Sequence, residues 1–410
     1  MKVVVVGSGG REHALAVVLG RHHEVVVTPG NPGIAGSVDR SAEDLVAEGG
    51  VDLVVVGPEQ PLVDGLADRL RAAGVAVFGP GAAGAQVEGS KAYMKGLAAA
   101  AGLPTARYAT FDDADEAVAY CRTLPGPWVV KTDGLAAGKG VLVADTIEAA
   151  EADIRDKLAG TAFGDAGRTV VVEEGLSGPE VSVFLVCDGA TAVALPAAQD
   201  FKRVGDGDAG PNTGGMGAWS PLPFLPDGFE DDVVARFAEP TLAELRRRGI
   251  DYRGTLYAGL MLTAEGPKLI EYNIRFGDPD SQVVLLRMTS DLGELLAAAA
   301  RGDLAAAPAP TVGDDAAVLV VAASEGYPVA PRTGDRIEGI EDAAAVPGAT
   351  VLCAGVAAAP GGEGLVTAGG RVLNVVGRGP DVAAARAAAY AAVDRLAWPG
   401  EHHRTDIAAG

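Results

Sequence analysis

Long apolar runs, paired cysteines and an excess of positive charge are all missing from this sequence. No stretch reads as a membrane span, and the amino terminus offers only Val3 to Val6 before glycines and charges, too short for a signal-peptide core. A cytoplasmic, soluble protein is the expectation. The three cysteines, Cys121, Cys187 and Cys353, lie far apart without C-x-x-C spacing, so neither a disulfide framework nor a zinc site is indicated and buried free thiols remain. A formal net charge of −22 argues against a nucleic-acid or anionic-membrane surface. An anionic substrate must therefore be met by locally clustered Lys and Arg. No internal repeat is present, and the only compositional bias is toward Ala.

What is there suggests several cores. The chain has 410 residues, 48% of them hydrophobic, with abundant Gly and Ala, which favours α/β layers joined by tight loops in roughly two to four domains. Residues 2 to 6 form a short buried-type strand, and Gly7-Ser8-Gly9-Gly10-Arg11-Glu12-His13 leads into a helical pattern from Ala14 to Leu19. That is the opening of a doubly wound parallel sheet. The dinucleotide fingerprint is broken, because its sixth position is Glu12 instead of glycine. Either an anion site at the Gly7 to Gly10 amides or a merely tight turn remains open. Further strands at Glu24 to Thr28, Asp52 to Val56 and Val75 to Phe78 each end in a Gly/Pro loop, among them Asn31 and Gly57-Pro58-Glu59. Such loops at strand ends form the ligand crevice of an open sheet.

Gly89-Ser90-Lys91 begins a helix whose Lys91 and Lys95, at i and i+4, share a face; solvated surface is the ordinary reading of either without context. Next, Trp128 to Lys131 and Val141 to Val143 read as strands joined by the small-residue loop Thr132 to Gly140. This is no Walker A loop, since three residues separate Gly134 from Gly138 and Gly140 follows Lys139. Its amides can nonetheless close over phosphates while Lys131 and Lys139 neutralise them. A strand from Thr169 to Glu173 ends in Glu174-Gly175-Leu176, and Glu180 opens another strand where it meets ribose hydroxyls or faces water. Gln199 to Arg203 precedes a long Gly/Pro loop, Val204 to Ser220, expected to be an ordered substrate loop without regular structure.

The chemistry concentrates in Leu269 to Gln282. Alternation places Leu269, Glu271 and Asn273 on one face of a strand and Ile270, Tyr272 and Ile274 on the other, with Arg275 following on the oxygen-bearing side. A carboxylate and an amide carbonyl roughly 6 to 7 Å apart suit Mg²⁺ bridging nucleotide phosphates. The bland alternative is an edge strand facing solvent. Asp278-Pro279 reads as an N-cap with proline at the first helical position, opening a helix that runs through Val283 to Arg287. Past the linker at Ala305 to Pro310, the last hundred residues carry no obvious chemistry, and His402-His403 is a surface pair.

With these residues in hand, the chain resembles the phosphoribosylamine–glycine ligase (glycinamide ribonucleotide synthetase) family, ATP-grasp enzymes of purine synthesis. The likeness rests on Val6 to Leu15, Val56-Gly57-Pro58-Glu59, Glu88 to Ala92, Asp133 to Gly140, Gly210 to Ala218 and Arg275 to Pro279, in this order. It implies an α/β protein with a doubly wound substrate domain over residues 1–101. An ATP-grasp domain over 102–302 with a mobile lid at about 122–188, and a small mixed domain over 303–410, would follow. It implies ATP contacts from Lys91, Lys131, Gly138, Lys139, Gly140, Glu180 and Asn273, with Glu173, Glu174 and Leu176 as adenine hinge. Glu271 and Asn273 would hold Mg²⁺ or Mn²⁺.

The reaction implied joins glycine to 5-phosphoribosylamine at the expense of ATP, through a glycyl phosphate. Arg275 and Lys131 would act on the reacting groups, and Asp200 or Asp278 would take the amine proton. Gly9, Gly10, Arg11, Glu12, Asn31, Gly57, Pro58, Glu59, Asp200, Lys202 and the Asn212-Thr213-Gly214-Gly215-Met216-Gly217 loop would hold substrate. Partners are small molecules, with a monomer in transient contact with neighbouring pathway enzymes as the expectation. Another ATP-grasp ligase using a different small acid, an NAD-dependent dehydrogenase and a non-catalytic nucleotide sensor are the rival readings. Three positions depart from the family's habit: Asp280 where Glu is usual, Thr132 where Ala is common, and Gly175 where an aromatic often stands.

Overall fold

A computed structural model of the chain describes residues 1–134, 140–160 and 168–409. Its first strand, Lys2–Gly7, lies inside a parallel sheet ordered Glu24–Pro29, Lys2–Gly7, Leu53–Val56, Ala76–Phe78. Period-two alternation sends Val4, Val6, Val54 and Val56 to one face, where Leu62, Leu66 and Leu70 cover them. Val3, Val5, Leu53 and Val55 meet Leu15, Leu19, Leu295 and Leu296 on the other. Burial on both faces explains why these strands read as unbroken valine runs. The helix Leu292–Arg301 belongs to this second layer, so a segment nearly three hundred residues downstream seals the amino-terminal sheet. Each fully buried leucine there contributes about 1.5–3 kcal/mol.

Two antiparallel sheets follow. One is ordered Ala192–Ala194, Glu180–Asp188, Arg253–Thr263, Gly266–Asn273, and it shares its apolar faces with the amino-terminal layers. The other, Tyr108–Phe111, Val170–Glu174, Trp128–Thr132, Val141–Ala144, has a core of its own built on Val118, Cys121, Val130, Ile154 and Val172. This second unit, called the lid below, overlaps the span that the resemblance implies for a lid. Its sheet runs in sequence from Tyr108 to Glu174, whereas Glu180–Asp188 pairs with the sheet of the body.

The expectation of a structureless 204–220 loop is corrected. Arg203–Gly205 and Ala209–Asn212 form a ribbon, and Gly217–Ser220 pairs with Ala316–Ala323 of the last sheet, ordered Gln199–Asp200, Gly217–Ser220, Ala316–Ala323, Arg371–Gly379, Ala349–Cys353. Glycine and proline hid these strands, and one partner of Gly217–Ser220 lies about a hundred residues away. All three cysteines are buried and unpaired. No helix among the described residues is long and apolar enough to cross a membrane.

Candidate functional site

The Gly266–Asn273 strand pairs with Arg253–Thr263, and the register slips by one residue: Leu269 faces Leu260, Glu271 faces Gly259, and Ile270 is the extra residue. A bulge re-aims the side chains around it. Leu269 consequently enters the core with Tyr272 and Ile274 instead of sharing a face with Glu271, which corrects the simple alternation. Ile270, Glu271 and Asn273 line a cleft of about 730 Å³ between lid, body and last sheet. The carboxylate and the amide are thus brought to the same opening. Neither side chain has a hydrogen bond or ion pair among the described residues. Burial pushes the Glu271 carboxyl up, but Lys91, Lys131, Lys202 and Arg275 outweigh it and hold it below its ordinary value. An ionised acid and a neutral carbonyl with unspent lone pairs are hard donors, and they fit a divalent cation.

Lys131 and Lys91 approach from the lid strand and from the first turn of the Lys91–Ala100 helix, and both line the cleft. Lys131 Nζ lies 2.9 Å from Glu173 Oε1 and donates to Ile270 O at 3.3 Å. Lys95, read as surface, is fully buried with Nζ 2.6 Å from Glu173 Oε2. Period 3.6 put both lysines on one face correctly but could not say that the face is covered. Glu173 therefore faces two lysines, with Oε1 in charge contact with Lys131 but without a hydrogen bond. The Glu174 carboxylate is held by Arg107 through Nε at 2.6 Å, and the amides of Glu174 and Gly175 donate to Arg107 O and Pro127 O. The Leu176 amide, next in line, carries no hydrogen bond among the described residues. A Cβ on Gly175 would collide with Pro127, so this chain has no room for the family's aromatic there. Thr132 is buried with its hydroxyl unpaired. Gly140 accepts from the Thr132 amide at 2.8 Å; Gly138 and Lys139 lie outside the described residues.

Across the cleft, Arg275 donates to Glu88 at 3.0 Å and to Glu59 at 3.3 Å. Glu88 belongs to the Glu88 to Ala92 stretch that carries the likeness, but no role at the site was expected of it. Lys202 pairs with Glu180 and lies 3.9 Å from Asp200. Burial, against the pull of Lys202, pushes the Asp200 carboxyl up to about 7, with Asp280 adding to the rise. Burial likewise raises Asp280, whose Oδ2 has no hydrogen-bond partner. The shorter carboxylate fits closely here: a Cβ on Gly277 would strike Asp280. Beside it, the Ser182 and Tyr257 hydroxyls bond at 2.6 Å.

Asp278 is not the helix cap that its place before proline predicts; the helix is Asp280–Leu285. Its carboxylate instead accepts from Gln282 Nε2 at 2.7 Å and Arg371 Nη2 at 2.9 Å. Burial raises this carboxyl too, but Arg371 and Arg11 hold it below its ordinary value. Arg371 also donates to Gly214 O at 2.7 Å, while the Gly214 amide donates to Tyr327 at 3.0 Å. The last hundred residues thus do reach the site, contrary to expectation. Arginine and tyrosine in separate strands and turns left no pattern to read.

Arg11, Pro58, Glu59, Glu180, Asp200, Lys202, Asn212, Thr213, Gly214, Arg275 and Asp278 all line the cleft. Four expected substrate residues have other work. Glu12 is buried, accepting from the Gly9 amide at 2.6 Å and Arg11 Nε at 2.5 Å, and it fills the space left by Gly7 and Gly57. The Asn31 amide is spent on Ser8, Cys353 and Ala354 carbonyls. Met216 is fully buried, and Gly217 packs on Ile407. Gly9 borders Asp278, Gly10 packs on Asn374, and Gly215 packs on Pro279.

Comparison with known proteins agrees with this architecture. Models of the phosphoribosylglycinamide synthetase N domain, ATP-grasp (A) domain and C domain match residues 1–88, 89–281 and 317–410. Phosphoribosylamine–glycine ligases of Caulobacter vibrioides and Streptomyces coelicolor are each 49% identical, over 99% and 100% of this chain and 97% and 99% of theirs. The chain belongs to the phosphoribosylamine–glycine ligase family. It is an ATP-grasp ligase by fold and kinship. The crystal structure of the Thermotoga maritima phosphoribosylamine–glycine ligase superposes with a TM-score of 0.86 at 34% identity, covering 100% of both chains. A biotin carboxylase from Campylobacter jejuni, at 15% identity and a TM-score of 0.70 over 98% of this chain and 92% of its own, shares the fold.

Proposed function

We propose that the chain joins glycine to 5-phosphoribosylamine, forming glycinamide ribonucleotide, ADP and phosphate, in cytoplasmic purine synthesis. The observation that carries this reading is the pair Glu271 and Asn273, unpartnered in the cleft and surrounded by Lys91, Lys131 and Lys202. Mg²⁺ or Mn²⁺ held there would neutralise the nucleotide phosphates. Adenine would take its amide contact from Leu176, the first free donor after the lid strand, with Glu173 and Glu174 fixing that strand end. Glu180 would accept from ribose, and Lys91, Lys131 and the Gly138 to Gly140 amides would face the phosphates.

Glycine's carboxylate cannot expel oxide, so one of its oxygens first attacks the γ-phosphorus and ADP leaves. The amine nitrogen then attacks the acyl carbon, the carbon–oxygen bond to phosphate breaks, and the amine loses a proton. Arg275 would orient the carboxylate by exchanging its longer contact, Glu59, while keeping Glu88. Asp200, poised near 7, suits the proton better than Asp278, which is held ionised by Arg371. Gly9 to Arg11, Pro58, Lys202 and Asn212 to Gly214 would hold phosphoribosylamine. No protein nucleophile is required, and positioning with charge neutralisation supplies the rate.

A panel of small acids and amines assayed by ADP release tests the assignment. Glycine with phosphoribosylamine should alone support rapid turnover; equal turnover with another acid would overturn it.

A further inference from the structure

Lys95 is a fully buried cation that the mechanism above leaves idle. It lies one turn after Lys91 on the Lys91–Ala100 helix and, unlike Lys91, is not among the residues that line the cleft. Its Nζ is 2.6 Å from Glu173 Oε2, donates to Thr105 Oγ1 at 2.8 Å, and sits 5.4 Å from the Tyr108 ring centroid. The other oxygen of Glu173 faces Lys131 at 2.9 Å. One carboxylate therefore lies between two ammonium groups, and only one of the two reaches the cleft. Thr105 in turn donates to Leu269 O at 2.6 Å, beside the bulge that aims Glu271.

A carboxylate paired with Lys131 alone would cancel its charge and draw it away from the opening. Shared with a second lysine, the same carboxylate holds Lys131 in place and leaves the trio one positive charge in excess. Burial lowers Lys95 to about 8, with Glu173 opposing the fall, so the group is charged at neutral pH. Keeping two cations around one buried acid is costly, and removing that acid leaves both cations uncompensated.

We propose that Lys95 is a positioning residue for phosphoryl transfer, holding Glu173 so that Lys131 keeps its charge directed at the nucleotide. It also ties the lid strand carrying Glu173 to the body helix carrying Lys91. The inference rests on Lys131 facing the phosphates, and the experiment separates the two claims.

Steady-state kinetics of Lys131→Met, Lys95→Met, Glu173→Gln and the Lys95→Met/Glu173→Gln double variant provide the test. Lys131→Met and Lys95→Met should each raise the KM for ATP about tenfold or more with the KM for glycine within about twofold, and the double variant should recover most of the Lys95→Met loss. A purely structural lysine would give no such recovery. If Lys131→Met leaves the KM for ATP unchanged, the reading of Lys131 fails. If Lys131→Met impairs ATP use but Lys95→Met does not, or its defect persists in the double variant, the Lys95 inference fails alone. Should Lys95→Met not fold, Thr105→Val decides at lower amplitude: a KM for ATP raised about threefold supports the inference and an unchanged one overturns it.

Discussion

Arg371 and Asp278, 93 residues apart, meet at 2.9 Å between guanidinium Nη2 and carboxylate Oδ2. The same guanidinium holds the Asp278 and Gly214 carbonyls at 2.8 and 2.7 Å. A single side chain of the last sheet thereby fixes both the loop after the strand that carries Glu271 and Asn273 and the Asn212 to Gly214 turn.

Arg371→Met should therefore misplace the amine substrate. We expect kcat/KM for phosphoribosylamine to fall about 10- to 100-fold, with the KM for ATP little changed. Steady-state kinetics with each substrate varied in turn checks this. An equal effect on ATP would assign Arg371 to the nucleotide instead.

Glu271→Ala removes the one carboxylate in the proposed cation pair. Turnover should drop about 100- to 1000-fold and stay low in excess Mg²⁺, while Glu271→Asp should recover part of it as the metal concentration rises. Normal turnover of Glu271→Ala at saturating Mg²⁺ would remove the metal assignment.

Asp200 yields a prediction with two signs. Its pKa of about 7 in the fold stands above the ordinary 3.8, so the folded protein retains a proton that the unfolded chain releases. Its contribution to stability is thus lost as pH rises from near 4 through 7. As a base, however, it works only above 7. Asp200→Asn should raise Tm at pH 8 and abolish the rise of kcat/KM through neutrality. Thermal melts and a pH–rate profile read both, and an unchanged profile would exclude Asp200 as proton acceptor.

How far the site could be read in advance depended on how local its causes are. That Glu271, Asn273 and Lys131 face one cleft was legible because strand alternation and a glycine-rich loop are short-range patterns. The bulge at Ile270 was not, since an extra residue shows only against its partner strand. Glu12 illustrates the opposite failure. The resemblance implies that it holds substrate, yet it is consumed by the Gly9 amide and by packing against Gly57, both decided by the fold. Tyr327 and Arg371 were invisible because the pairing of Gly217–Ser220 with Ala316–Ala323, which carries the last sheet to the cleft, spans a hundred residues. The parallel sheet, with its unbroken valine runs, was the clearest element of all.

His13 gives a test of the contact between the helix Gly10–Leu19 and the last sheet. Its Nδ1 accepts from the Cys353 amide at 2.8 Å, which a protonated ring cannot do, and burial lowers its pKa to about 4. Because the unfolded chain takes up the proton first, the stability that His13 contributes is lost as pH falls from about 6.5 toward 4. His13→Gln, which keeps an acceptor but does not titrate, should flatten Tm over that range. A slope identical to that of the unaltered chain would place the acid sensitivity elsewhere.

The most direct test of the proposed chemistry follows oxygen. Glycine labelled with ¹⁸O in its carboxylate is turned over with ATP and phosphoribosylamine, and the released phosphate is weighed by mass spectrometry. Passage through an acyl phosphate transfers one labelled oxygen to each phosphate formed. Phosphate carrying no label, at full turnover, would contradict it.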